Sequence, residues 1–178
     1  MKTLIGLLLP FILLSSCLPE KDNEIRIDEK YVITLPSFLT KGNDLNNEAS
    51  LQYQNLTKEF YVIVIDESVK DFENALALNN LSESIENNIE AYSDMVLKGF
   101  ESALKIKKRS KDDYTKINGM PARLLTINAT IDGLDAYYSI AFIKGEKNYY
   151  QIMTWTLEKY EVQYKEKMDK ILRSLKEL

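Results

Sequence analysis

Four places along the chain hold side chains capable of chemistry. Asp66-Glu67 and Asp112-Asp113 are paired carboxylates of the kind that can serve as general acid and base. Asp44, Asn46 and Glu48 alternate within G-N-D-L-N-N-E (residues 42–48) and offer oxygen ligands to a hard cation such as calcium. Cys17 is the single thiol, and no histidine occurs anywhere. That pairing of facts excludes Ser-His-Asp and Cys-His catalysis, histidine-liganded zinc, haem held by histidine and cysteine-bound iron–sulfur clusters. Carboxylate, lysine, tyrosine and serine chemistry remains. Adjacent residues of an extended strand point to opposite faces, so neither carboxylate pair is preorganised by its spacing, and strand-end or turn roles are expected of both. The Asp44 loop lacks the twelve-residue frame of a calcium hand, and a plain polar turn is the reading set against the cation site.

Cys17 follows a segment that removes it from this list. Lys2 precedes eleven uncharged residues, Leu4 to Leu14, and then small Ser15 and Ser16. This is the layout of a secretory signal, and it is shorter than the roughly 20 residues needed to span a bilayer as a helix. Leu14-Ser15-Ser16-Cys17 resembles the lipobox of bacterial lipoproteins. The resemblance implies cleavage before Cys17 and acylation of its thiol, which holds a protein stably at a membrane once two or more chains are attached. Leu18 in place of aspartate then argues against retention in the inner membrane. The expectation is a lipid-anchored envelope protein, palmitate-bearing and at the outer membrane, with a signal over residues 1–16, a lipidated cysteine and flexible tether over 17–28, and one domain over 29–178.

Charge is mildly acidic, 23 Lys and Arg against 27 Asp and Glu, a net charge of −4. Bulk charge of this sign does not suit nucleic-acid binding. About 150 residues after the tether suffice for one domain that buries about 68–70% of its unfolded surface.

The elements that must position these groups read clearly in places. Y-V-I-T-L (31–35), L-Q-Y-Q (51–54) and F-Y-V-I-V-I-D (60–66) are strands, the last apolar on both faces and so central. Val69, Phe72 and Leu76 mark a short helix. Ile85, Ile89, Tyr92, Val96, Phe100 and Ala103 mark a long one over residues 82–105, with Ser82 as its cap. The cluster Lys105, Lys107, Lys108 and Arg109 reads as a solvated helix end or an edge strand, with an anionic lipid or partner as the alternative. Asp132-Gly133 as a two-residue turn pairs Ile131 with Leu134, Ala129 with Ala136, Ile127 with Tyr138 and Leu125 with Ile140, apolar on apolar throughout. The next loop, K-G-E-K-N (144–148), is expected to set Phe142 opposite Tyr150 and Ile140 opposite Ile152. A closing helix carries Tyr160, Tyr164, Met168, Ile171, Leu172 and Leu175 on one stripe. Helices segregated on a mostly antiparallel sheet of about six to seven strands make an α+β domain.

That register places Tyr137, Met153 and Trp155 together on the face opposite Leu125, Ile127 and Ile140, with Tyr137 across from Trp155. Left uncovered, they form an aromatic patch for a ligand or partner; covered by a helix, they form a second core layer.

With the strands placed, the chain resembles the PsbP-like proteins, among them the extrinsic photosystem protein PsbP, a nuclear-import Ran-binding factor and bacterial lipoproteins of the DcrB type. The residues that carry the resemblance are Y-V-I-T-L-P at Tyr31, the next two strands, I-N-G-M-P-A-R at Ile117 and Y-Y-Q-I-M-T-W-T with the helix after it. The resemblance spans residues 30–178 and implies an α-β-α sandwich with noncatalytic binding or assembly roles, no cofactor and no shared catalytic set. The expected function is a noncatalytic envelope lipoprotein that binds a protein partner or envelope component; a small-ligand or metal-binding lipoprotein is the alternative, and an enzyme is not expected.

Overall fold

The computed structural model describes residues 21–178. In chain order these form β1 (Asp22–Ile27), β2 (Tyr31–Pro36), β3 (Thr40–Lys41), β4 (Leu51–Asn55), β5 (Phe60–Ser68), α1 (Val69–Leu78) and α2 (Ile89–Ser102). There follow β6 (Lys105–Arg109), β7 (Asp113–Ile117), β8 (Met120–Ile131), β9 (Leu134–Lys144), β10 (Asn148–Leu157), a 3-10 turn (Glu158–Tyr160), α3 (Glu161–Ser174) and β11 (Lys176–Glu177). Cys17 and the segment expected to be a signal lie outside the described residues.

Two tight turns build the centre of the sheet. Asp132 and Gly133 have φ of 50° and 80°, the mirror-image turn that matches strand twist and in which glycine at the second position costs nothing. The β8–β9 register is the expected one, Ile131 opposite Leu134 through Leu125 opposite Ile140. Asn118 and Gly119, at 49° and 88°, repeat the device between β7 and β8. Asn118 also donates to the carbonyls of Leu175 (2.6 Å) and Arg173, which tethers that turn to the end of α3.

The main sheet has eight strands in the order β3-β4-β5-β10-β9-β8-β6, with β7 also on β8. This exceeds the expected six to seven, because β3 and the split edge β6/β7 are too short or too polar to register as apolar patterns. All pairings are antiparallel. As its apolar run requires, β5 is interior, between β4 and β10. A smaller sheet, β1-β2-β11, joins the two ends of the domain. Its first strand corrects the tether: Asp22–Ile27 pairs along its whole length with β2. Ile25 and Ile27 pack on the core there. The polar residues Asp22, Asn23, Glu24 and Arg26 around those two isoleucines disguise an edge strand as a linker.

Both faces of the main sheet are cores. On one, α3 presents Tyr164, Met168, Ile171 and Leu172 to β2, β5 and β10. On the other, Phe72 and Leu76 of α1 and Tyr92 and Leu97 of α2 cover Ile127, Tyr138, Ile140 and Tyr149. The result is a helix–sheet–helix sandwich, as expected.

Two further expectations need correction. The long helix starts at Ile89, where Asn88 caps it by accepting from Ala91 N at 2.9 Å; Ser82 lies in turns whose N–H groups return to the Leu81 carbonyl. At its other end Lys105 to Arg109 is strand, so the basic cluster is a charged sheet edge of the kind that discourages further pairing. The second correction concerns β10. Its turn closes on Glu146 and Lys147 alone, with Gly145 N donating to Asn148 O at 2.8 Å. Tyr150 therefore lies opposite Ile143, and Met153 opposite Ile140. One residue of difference exchanges every side chain of the strand between faces.

Candidate functional site

The slip decides the composition of the site. On the face that α1 and α2 cover, register neighbours Tyr61 of β5, Trp155 of β10 and Tyr138 of β9 stand side by side. Tyr61 and Trp155 stack at 5.2 Å and 12°, Trp155 and Tyr138 at 6.3 Å and 25°, and Phe100 of α2 meets Tyr138 edge-on at 5.5 Å. Neither α1 nor α2 covers this end of the sheet fully. An open groove of about 440 Å³ remains, floored by Ile63, Ile65, Met153 and Trp155, with Val96 and Phe100 on one wall and Leu45 and Asn46 on the other. Tyr61 donates its hydroxyl to Glu59 at 2.9 Å, and burial, then that carboxylate, push its phenol up to about 12.

A second, smaller groove of about 270 Å³ lies between α1 and α2, lined by Phe72, Leu76, Tyr92, Met95, Val96 and Glu67 among others. Val96 lines both. Gln151, on the first groove, donates to the Tyr92 hydroxyl on the second at 2.8 Å. Burial pushes that phenol well above its ordinary value, the Gln151 bond opposes this, and Glu67 beside it adds to the rise.

The structure brings together two of the three patch residues. Met153 and Trp155 line the groove, while Tyr137 faces the other way into the α3 core, 5% exposed. Tyr138, Tyr61 and Phe100 replace it, and counting a two-residue turn at Glu146-Lys147 would have found Tyr138, whereas Tyr61 comes from the pairing of β10 with β5. Asp44, Asn46 and Glu48 remain in a loop between β3 and β4, where the oxygens of Asn46 are used internally. Asn46 Oδ1 accepts from Glu48 N at 2.7 Å, and Gln52 Oε1 accepts from the N–H groups of Leu45 and Asn46. Among the described residues no group of three or more acidic or thiol side chains could hold a metal.

The carboxylate pairs separate. Asp66 accepts from Lys30 at 2.6 Å on the α3 side, and Glu67 faces the grooves. Asp113 lies 3.5 Å from Arg173, whereas Asp112 joins a network that sequence reading missed. Arg123, 4% exposed, donates to Ser93 (2.7 Å), Asp94 (2.5 Å) and Asp112 (2.9 Å); Arg109 donates to Asp112 (2.8 Å) and Glu101 (2.7 Å). Burial alone would raise the Asp112 carboxyl, but the bond and charge of Arg123, with Arg109, bring it below its ordinary value. The network ties α2 to β8. An arginine at an inward position of an apolar strand, Arg123 before Leu124-Leu125, was its signal.

No family model matches the chain, and no curated protein does. Solved structures do. Cyanobacterial PsbP (CyanoP) of Synechocystis sp. PCC 6803 superposes with a TM-score of 0.53 at 10% identity, over 93% of this chain and 99% of that one. The fold is PsbP-like. LpqN of Mycobacterium tuberculosis, a protein involved in cell envelope biogenesis, matches with a TM-score of 0.56 at 9% identity, over 90% and 92%. At such identities the likeness speaks for the PsbP-like architecture, and the groove must be argued from its own residues.

Proposed function

We propose that this PsbP-like chain is a noncatalytic lipoprotein of the cell envelope, anchored through Cys17, that binds an apolar envelope component in the groove beside Trp155. The observation that carries the reading is the incompletely covered aromatic and aliphatic strip of Ile65, Phe100, Met153 and Trp155, since apolar surface left concave and open is characteristic of binding sites. The Leu14–Cys17 sequence supports the anchor, and the envelope role of LpqN, a structural neighbour, agrees with the location. The chemistry on offer supports a noncatalytic role. Histidine is absent, and the carboxyls of Asp112 and Asp135 are pushed down, where a general acid at neutral pH needs one pushed up.

Two measurements test this. Cells fed an alkynyl palmitate should label the unaltered chain and not Cys17→Ser; equal labelling of both refutes the anchor. A photo-crosslinking amino acid at Leu45, half-buried on the wall of that groove, should yield a defined product in growing cells, and the same group at Leu134 in the β8–β9 turn should not. Identical patterns from both positions refute the groove.

A further inference from the structure

Resting on that groove reading, we propose that the occupant is a single-chain aliphatic amphiphile with a cationic head group, its chain lying over Ile63, Ile65 and Met153 and its head at Glu67. The two grooves follow one strand face. Tyr61, Ile63, Ile65 and Glu67 are alternate residues of β5, so the path from the aromatic ladder to the carboxylate is about 20 Å long at 3.3 Å per residue. Its floor is made of side chains on a sheet face, whose backbone groups are spent in the ladder. An extended peptide laid there would leave its own N–H and C=O groups unpaired, because the amide donor of Gln151 is given to Tyr92. A sugar needs an open ring face, and the faces of Tyr61, Trp155 and Tyr138 are turned toward one another. A hydrocarbon chain makes neither demand.

The charge at the end of the path selects the head. Among the described residues, Glu67 is the only charged one lining either groove. The ion pairs of the described residues do not engage it. A half-buried carboxylate without a cation favours a ligand that brings one, and repels an anionic head.

The chain's one tryptophan is Trp155, so its fluorescence reports on the groove without competition. The purified full-length chain is titrated with dodecyltrimethylammonium below its micelle threshold, and with dodecyl sulfate and dodecyl maltoside as anionic and neutral heads on the same chain. The cationic probe is expected to bind saturably and about tenfold or more tighter than the others, the equivalent of one pK unit of charge interaction. The decyl homologue should bind about fifteenfold more weakly, at about 0.8 kcal/mol per methylene. Glu67→Gln should bring the cationic and neutral probes within about twofold of each other while the decyl-to-dodecyl ratio stays. If that variant melts early, salt on the unaltered chain serves instead: raising it to about 0.5 M should erase the head-group preference and leave the chain-length dependence. Equal binding of the three heads, independence of chain length, or no response of Trp155 to any probe each overturns the proposal. A cross-link from Leu45 alongside such a result would leave the groove as a binding surface for a different partner, so the two readings fail separately.

Discussion

Alanine substitution at Tyr137 and at Trp155 distinguishes the two faces of β9 and β10 in one experiment. Tyr137 is 5% exposed and packs in the α3-side core with Leu124, Ala141 and Tyr164. Truncation there removes a buried ring and leaves a closed cavity, a loss of about 3–5 kcal/mol. Trp155 is larger but half-buried. Its ring loses the stacking with Tyr61 and Tyr138, yet the space it vacates opens onto the groove and water fills it, so the cavity penalty is missing. About 2 kcal/mol is expected, from partial area burial and ring pairing. In a domain of this size each kcal/mol moves Tm by about 2–4 °C, so Tyr137→Ala should melt about 6–20 °C early and Trp155→Ala about 4–8 °C early. Circular dichroism melts measure both, since fluorescence is lost with Trp155, and urea titration supplies the free energies. A Trp155→Ala loss equal to or larger than that of Tyr137→Ala would refute the register and the open groove together.

Two other perturbations follow from the polar contacts. Asp112, held below the ordinary carboxyl value in the folded chain, adds stability at pH values above its unfolded pKa near 4, and this contribution is lost as pH falls through the depressed folded value. Asp112→Asn should therefore cost about 2 kcal/mol at pH 7, less than full rupture of a buried pair because Asp94 stays on Arg123, and should flatten the fall of Tm with acid below about pH 4; an unchanged acid limb contradicts the network. A Cβ on Gly145 would lie 2.3 Å from Glu177 Oε1. Gly145→Ala and Glu177→Ala should each cost about 1.5–3 kcal/mol in urea denaturation, and the double variant no more than Glu177→Ala alone, whereas additive losses would show that the two do not meet.

Much of this architecture was legible in the chain because its signals were local. Asp132-Gly133 specifies its turn by backbone conformation, and the alternation on either side of it leaves one workable register. The β5 run announces an interior strand, and the α3 stripe announces a helix with one buried face. What escaped was set by contacts distant in sequence. Ser82 and Asn88 are both competent caps, and the choice of Asn88 depends on how Leu81 to Asn88 folds back on α1, where Asn87 donates to Glu73. The strand at Asp22–Ile27 exists because β2 offers it an edge. The Arg123 network joins three segments, and only the misfit of a charged residue in an apolar strand hinted at it.

The turn at Glu146-Lys147 is the most consequential of these long-range effects. Its own residues include neither Asn-Gly nor Asp-Gly, and its conformation is held from outside. The carboxylate of Glu177 accepts from the N–H groups of Glu146 (2.6 Å), Lys147 (3.2 Å) and Asn148 (3.1 Å) and from the Tyr150 hydroxyl (2.9 Å). Such convergence of backbone donors stabilises an anion, and here the anion is supplied by the last strand of the domain. Glu177 is placed by β11 pairing with β2, and Leu178 N donates to Lys30 O at 3.0 Å. The small sheet therefore fixes the length of a turn in the large one. Because an even turn puts Met153 and Trp155 on the face covered by α1 and α2 and an odd one would put Thr154 and Thr156 there, the C-terminal residues determine that the groove is aromatic and aliphatic rather than hydroxylated. The groove and the β11 strand are thus coupled through a single count of residues, across the thickness of the sheet.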